Sequence, residues 1–237
     1  PILQGCLSSC TFCKTKHARG NAYSYPSADI VRRISGAVQS GAKEIWLTSQ
    51  DNSVYGLDFE TNLAGLLKDI ASIDRSFTVR VGMANPGHML PFVKDLIEAY
   101  KDDHIYKFLH IPLQAGSDSV LKDMKRGYTV SEYVSIVDAF KKAFPRMTIS
   151  TDIICGFPTE TDEDFEKTLE IIRSTQPDII NISRFWPMEG TPARRMEQLD
   201  GGVIKERTRA LTKLYEQVAE ERNKEWLGWE GRVLISE

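Results

Sequence analysis

Short apolar runs alternate with amphipathic stretches along most of this chain, and the two periods predict different elements. Runs rich in β-branched and aromatic residues predict strands over Glu44–Thr48, Thr78–Met83, Lys107–Leu113, Met147–Cys155 and Asp178–Trp186, with a stub at Pro1–Gln4. These runs are apolar on both faces more often than they alternate, which suits a parallel sheet covered on its outside by helices. Helical spacing predicts helices over Ser27–Ser40, Leu63–Ile73, Pro91–Tyr100, Ser117–Met124, Ser131–Phe144 and Thr161–Ser174. Ile30, Ile34, Ala37 and Val38 make the stripe of the first, and Leu63, Leu66, Leu67 and Ile70 that of the second. Tyr133, Val137, Phe140 and Phe144 line up in the fifth. Thr161 caps the sixth, ahead of acidic residues in its first turn, and Phe165, Leu169 and Ile172 form its apolar face.

Strand-then-helix units at this spacing predict an α/β fold, a parallel (β/α)6 partial TIM-type barrel with a C-terminal helix. No glycine-rich dinucleotide fingerprint follows the first strand, which disfavours a Rossmann sheet. After Trp186 the texture changes. Pro187–Gly202 is rich in Pro, Gly and charge, and Val203–Trp226 reads as one long helix with Leu211, Leu214, Tyr215 and Val218 on a face. Gly231–Ser236 begins like a new strand. The expected division is a core over 1–200, a linking helix over 201–228 and the truncated start of a further domain over 229–237.

Composition narrows the class. With 41% hydrophobic and 27% charged residues over 237 positions, the chain can bury a sizeable core without a disulfide framework. No apolar run reaches the ~18–20 residues of a membrane helix, and no signal peptide opens the chain. A start on Pro1 without Met reads as a piece of a longer protein. Thirty Lys and Arg against 33 Asp and Glu give a net charge of −3, no global sign of a nucleic-acid partner. Local charge differs: the first 28 residues hold Lys14, Lys16 and Arg19 and no acid.

The cysteines carry the chemistry. Cys6, Cys10 and Cys13 fall within eight residues as C-x3-C-x2-C, directly after the first strand, and Cys155 stands alone. Such clustering reads as a metal site in a reducing compartment, here the cytoplasm. Three thiolates can hold three irons of a cubane cluster whose fourth iron stays open, whereas ferredoxin-type sites supply four cysteines. The carboxyl end of a barrel strand is where barrel enzymes keep their active sites. A Cys3His zinc set with His17 is the competing reading. Cys155 reads as a small buried residue rather than a ligand.

Phe12, just before the last cysteine, completes a block that resembles the radical S-adenosylmethionine signature. The blocks GCLSSCTFCKTKHARG, EIWLTSQDNSVYG, LHIPLQAGSDSVLKDMKRGYT, TDIICGFPTETDEDF and RFWPMEGTPA resemble the methylthiotransferases in the same order, across essentially residues 1–237. Lys14-Thr15-Lys16-His17-Ala18-Arg19-Gly20 resembles the archaeal and eukaryotic branch, which acts on threonylcarbamoyladenosine beside the tRNA anticodon. The resemblance implies one [4Fe-4S] cluster on Cys6, Cys10 and Cys13 with one open iron. It implies S-adenosylmethionine used twice, as methyl donor and as radical source, with tRNA as substrate and an electron donor as partner. A second cluster, the sulfur source, belongs to an amino-terminal domain of the family, and a TRAM-like RNA-binding domain follows at the carboxyl end. Trp229–Glu237 resembles the first strand of the latter. The stretch in hand is therefore expected to be limited to reductive cleavage of S-adenosylmethionine. The alternatives are a methylthiotransferase for another tRNA base or a ribosomal protein, and a non-catalytic zinc-stabilised RNA-binding module.

Further residues join the candidate site. Gln50 and Asp51 follow the second strand, as caps or cofactor contacts. The resemblance puts Gln114 near the ribose and methionine part of the cofactor, with Ser117 beside it as a helix cap. Arg126 suits the cofactor carboxylate, or is a solvated helix-end charge. Gly156 allows close backbone approach to the cofactor, or makes a turn. Lys14, Lys16 and Arg19 form a basic lip for tRNA phosphates, or a solvated loop. His88, His104 and His110, with no carboxylate spacing around them, read as structural.

Overall fold

The six strands expected up to Trp186 all form, each shorter than its apolar run. The computed structural model describes residues 1–231 and 233. The strands are β1 (Leu3–Gln4), β2 (Tyr23–Ser24), β3 (Glu44–Leu47), β4 (Thr78–Val81), β5 (Phe108–His110), β6 (Thr148–Cys155) and β7 (Ile179–Arg184). β3 and β4 are parallel, with Trp46 opposite Arg80. β5, β6 and β7 form a second parallel group, with His110 opposite Ser150 and Asp152 opposite Asn181. A bridge from Val79 to Ile105 joins the groups, and the Ile2 N–H donates to the Thr48 carbonyl at 2.9 Å, so β1 leans on the end of β3. Among the described residues no ladder joins β7 back to β1. The array is an open, partial barrel.

The helices are α1 (Thr15–Arg19), α2 (Ser27–Gln39), α3 (Leu63–Ala71), α4 (Pro86–Met89), α5 (Val93–Ala99), α6 (Asp118–Asp123), α7 (Val130–Ala143), α8 (Asp162–Thr175) and α9 (Gly201–Lys224). The predicted stripes face inward: Ile30, Ile34 and Val38 of α2, and Leu63, Leu66, Leu67 and Ile70 of α3, are buried. Each such Leu or Ile contributes about 1.5–3 kcal/mol relative to exposure. Thr129 with Glu132 and Thr161 with Asp164 form reciprocal capping boxes that start α7 and α8. α9 is no free linker along its length. Leu211 and Val218 are buried, and two buried arginines pin it: Arg207 to Glu160 at 2.8 Å and Arg222 to Asp178 at 3.0 Å. Among the described residues no helix is long and apolar enough to cross a membrane. The strand expected over Gly231–Ser236 lies mostly outside the described residues.

Helices cover the outside of the strands, as expected, but the strands alternate more than their apolar runs suggest. Val79 and Val81 of β4 are buried while Thr78 and Arg80 are half-exposed, and Trp46 of β3 is 57% exposed. Helices cover one face only, because the other lines the open interior of the array, where a site needs polar and aromatic groups.

Candidate functional site

The cysteine loop is held by backbone before any side chain matters. Gly5 adopts φ +74°, and a Cβ there would fall 2.0 Å from the Asn21 carbonyl oxygen, so only glycine fits. The Cys6 N–H donates to the Gly20 carbonyl at 3.1 Å and closes the loop. Thr11 ties it to the rest of the barrel mouth. Its N–H donates to Met124 at 3.1 Å, its hydroxyl to the Asp123 carbonyl at 2.8 Å, and its carbonyl accepts from Ala193 at 3.0 Å. Cys6, Cys10 and Cys13 thereby line one cavity of about 400 Å3, with Ser8, Ser9, Thr15, Lys16, His17, Lys125 and Pro192. Burial pushes the Cys6 thiol up, and Asp51 and the two other thiols add to this against backbone donation at Ser8. Among the described residues no three Cys, His, Asp or Glu side chains converge as a single metal ion requires.

Arg126 stands beside the Cys10 thiol, and two further polar groups with unused capacity, Gln114 and Gln50, line other cavities. Arg126 is 9% exposed; its Nη1 donates to Cys10 Sγ at 3.1 Å and its Nε to Tyr128 at 3.2 Å, while Nη2 has no partner. Burial works against its charge, but Tyr128 and Cys10 hold the guanidinium above its usual range. Gln114, also 9% exposed, sits at φ +71°, a left-handed conformation costly for a non-glycine residue. Its N–H donates to Asp152 and its carbonyl accepts from Ile154, so the ladder fixes the strain. Its Oε1 is buried without a partner, as is Gln50 Oε1. A buried orphan costs about 1–3 kcal/mol. Of the four such atoms among the described residues, three belong to Gln50, Gln114 and Arg126.

Residues 1–172 match the Radical SAM superfamily. The chain belongs to that superfamily. It is 48% identical over 235 residues to a Pyrococcus abyssi protein named "Probable threonylcarbamoyladenosine tRNA methylthiotransferase", covering 99% of this chain and 55% of that one. It is 43% identical to the Homo sapiens threonylcarbamoyladenosine tRNA methylthiotransferase, covering all of this chain and 41% of that one. The chain thus spans about half the length of the curated relatives it matches. Among solved structures it resembles the radical S-adenosylmethionine methyltransferase TsrM from Kitasatospora setae, solved with cobalamin and a [4Fe-4S] cluster (TM-score 0.66, 16% identity, 81% of this chain and 37% of that one). It also resembles methylornithine synthase, PylB (TM-score 0.60, 14% identity, 91% of this chain and 60% of that one). These two likenesses concern the radical SAM fold.

The remaining expected site residues divide. Phe12 lines a cavity of about 390 Å3 with Gln114, Asp152, Asn181, Phe185 and Trp186, beside the thiols in sequence and next to the strand ends in space. Ser117 makes no cap bond; its hydroxyl donates to Asp164 at 2.6 Å and ties α6 to α8 instead. Gly156 is at φ +80°, its N–H is spent on Glu160, and Ile204 of α9 fills the space a side chain would take. Backbone shape and packing thus account for this glycine without a cofactor. Lys16 turns onto the loop itself, donating to the Leu7 carbonyl at 3.0 Å; Lys14 approaches Gly190, and Arg19 is exposed beside Gln50. Asp51 is consumed by Ser53, Asn85 and His88. Cys155 is fully buried at the end of β6, its thiol pushed up to about 12 by burial and then by Glu160.

All three histidines that read as structural meet a carboxylate, and only His104 does so at local spacing. His110 Nε2 meets Asp152 at 3.0 Å, His88 Nδ1 meets Asp51 at 2.9 Å and His104 Nδ1 meets Asp102 at 2.8 Å. Two of these pairs join residues 37 and 42 positions apart, beyond any local spacing rule. Tyr128, which seats Arg126, and Asp152, which takes hydrogen bonds from His110 and Asn181, were missed as well. A lone Asp inside the apolar run Ile149–Cys155 was the available signal that this position faces the interior.

Proposed function

We propose that this chain is the radical-generating part of a cytoplasmic tRNA methylthiotransferase acting on N6-threonylcarbamoyladenosine. The observation that carries the reading is three thiols around one cavity, with the buried Arg126 bonded to Cys10 and keeping one partnerless nitrogen. The relatives' names and identities supply the substrate class. Cys6, Cys10 and Cys13 would hold a [4Fe-4S] cluster, which when bound supplies the electron that breaks S-adenosylmethionine into methionine and a 5′-deoxyadenosyl radical.

The chain's own groups orient the cofactor. Arg126 offers Nη2 to the cofactor carboxylate, fixed in direction by Cys10 and Tyr128. Gln114, locked by the ladder, and Gln50 offer carbonyl oxygens to its hydroxyl and amino groups. Phe12 lines the cavity next to Gln114, on the side where the cofactor would lie. Arg19 and Lys14 are the cations placed to meet RNA phosphate, since Lys16 braces the loop. With Cys155 buried alone, a second, sulfur-donating cluster would need cysteines outside this chain, and an electron donor is a further partner. Residues 1–200 form the core of this reading, 201–228 its docked helix, and 229–237 lead toward an RNA-binding domain.

Anaerobic reconstitution with iron and sulfide, followed by reductant and S-adenosylmethionine, tests the reading. We expect 5′-deoxyadenosine from this chain and none from Cys10→Ala, with no methylthiolated adenosine in added tRNA. Intact S-adenosylmethionine after full cluster loading would contradict it.

A further inference from the structure

The open inner face of the sheet holds one group that the proposed cofactor contacts do not use. Arg80 of β4 lies between two rings, its guanidinium carbon 4.7 Å from the centroid of Trp46 on β3 and 4.3 Å from that of Phe108 on β5. Trp46 is its direct partner in the parallel ladder, so both stand on the same face of the sheet. Among the described residues no carboxylate pairs with Arg80. Two rings fix the guanidinium plane and leave its edge free, which is how an arginine is prepared for a planar, bidentate anion. The same face continues through His110, two residues beyond Phe108, to Asp152 and Asn181, which are joined at 3.0 and 2.7 Å. Asp152 and Asn181 in turn line the cavity that holds Phe12 and Gln114. One face of the strands therefore runs from the cavity of Phe12 and Gln114 to Arg80, carrying aromatic rings and a few polar groups.

We propose that Arg80, positioned by Trp46 and Phe108, recognises the free carboxylate of the threonylcarbamoyl group on the substrate adenosine. This rests on the reading above, which supplies that substrate. The N6 substituent is the part of the nucleotide that can enter a ring-lined interior, whereas backbone phosphates stay with the sugar at the mouth. A planar carboxylate matches the fork edge to edge. The His110–Asp152–Asn181 group, with donors and acceptors on the same face, suits the ureido portion of the same substituent. Arg80 thereby discriminates this substrate from adenosines whose N6 group is absent or uncharged.

The test measures dissociation constants of the full-length enzyme for three anticodon stem-loops, bearing threonylcarbamoyladenosine, its methyl ester or plain adenosine. The wild type should favour the free acid over the ester by roughly ten- to a hundredfold, the worth of a charge-assisted pair. Arg80→Gln should erase that preference and leave the ester and plain stem-loops unchanged. Trp46→Leu, which keeps the charge and loses one ring, should shrink it. Equal weakening of all three RNAs by Arg80→Gln would assign the arginine to a phosphate and overturn the proposal. So would equal wild-type affinity for acid and ester, even if the free acid is still methylthiolated. If the wild type neither prefers nor modifies the threonylcarbamoyl stem-loop, the functional reading itself falls, a separable result.

Discussion

The two faces of one sheet divide the labour of this chain. On the helix side Leu47, Val79, Val81, Leu109, Ile149 and Ile180 are buried, apolar and packed against the crossover helices. On the inner side, at alternate positions of the same strands, stand Trp46, Arg80, His110, Asp152 and Asn181, partly exposed and polar or aromatic. Around the rim of that side lie the strained Gln114 and three of the partnerless buried atoms. Folding energy resides on one face, and binding capacity on the other, where unsatisfied groups lower stability until a ligand arrives.

Breaking the covered side should cost most. Arg207→Ala leaves Glu160, whose side chain is 1% exposed, without its ion-pair partner. We expect about 3–5 kcal/mol lost in denaturant unfolding. Ile149→Ala, at a fully buried outer position, should lose about 2–5 kcal/mol by the same measurement. The inner face should respond differently. Gln114→Gly relieves the φ of +71° and should raise stability by about 1 kcal/mol while weakening S-adenosylmethionine binding, read by calorimetry on the reconstituted protein. Stability and affinity falling together would erase the distinction between the faces.

A smaller effect lies in pH. Burial opposes the Asp152 charge, but hydrogen bonds from His110 and Asn181 and the charges of His110 and Arg126 hold its carboxyl below the usual range. Its contribution to stability is therefore present above the ordinary Asp value near 3.9 and is lost as pH falls through the lowered native value. Asp152→Asn should lower stability at neutral pH, flatten its dependence on pH in that acidic window and converge with the wild type at the acid end, as unfolding midpoints at stepped pH would read.

The covered face was the legible one. Periodicity places α2, α3, α8 and α9 within a few residues, because each stripe answers to one buried side. The C-x3-C-x2-C spacing is local too, and the three cysteines do share a cavity. What escaped depends on folding. β2 is two residues, Tyr23–Ser24, paired antiparallel with β1, and α1 hides in a basic stretch without an apolar stripe. The Trp46–Arg80–Phe108 stack and the His110–Asp152 pair join strands far apart in sequence. Only an open barrel makes them neighbours. Ser117 and Gly156, residues of a recognisable block, make packing contacts between α6, α8 and α9 that no local spacing shows.

Iron and sulfide per chain after anaerobic reconstitution test the central claim most directly, with Cys10→Ala and Cys155→Ala measured alongside. The account predicts about four irons and four sulfides per chain in the wild type and in Cys155→Ala, whose thiol is buried in the core, and near zero in Cys10→Ala. Equal iron loss in Cys155→Ala, or one zinc per chain with no sulfide in the wild type, would contradict it.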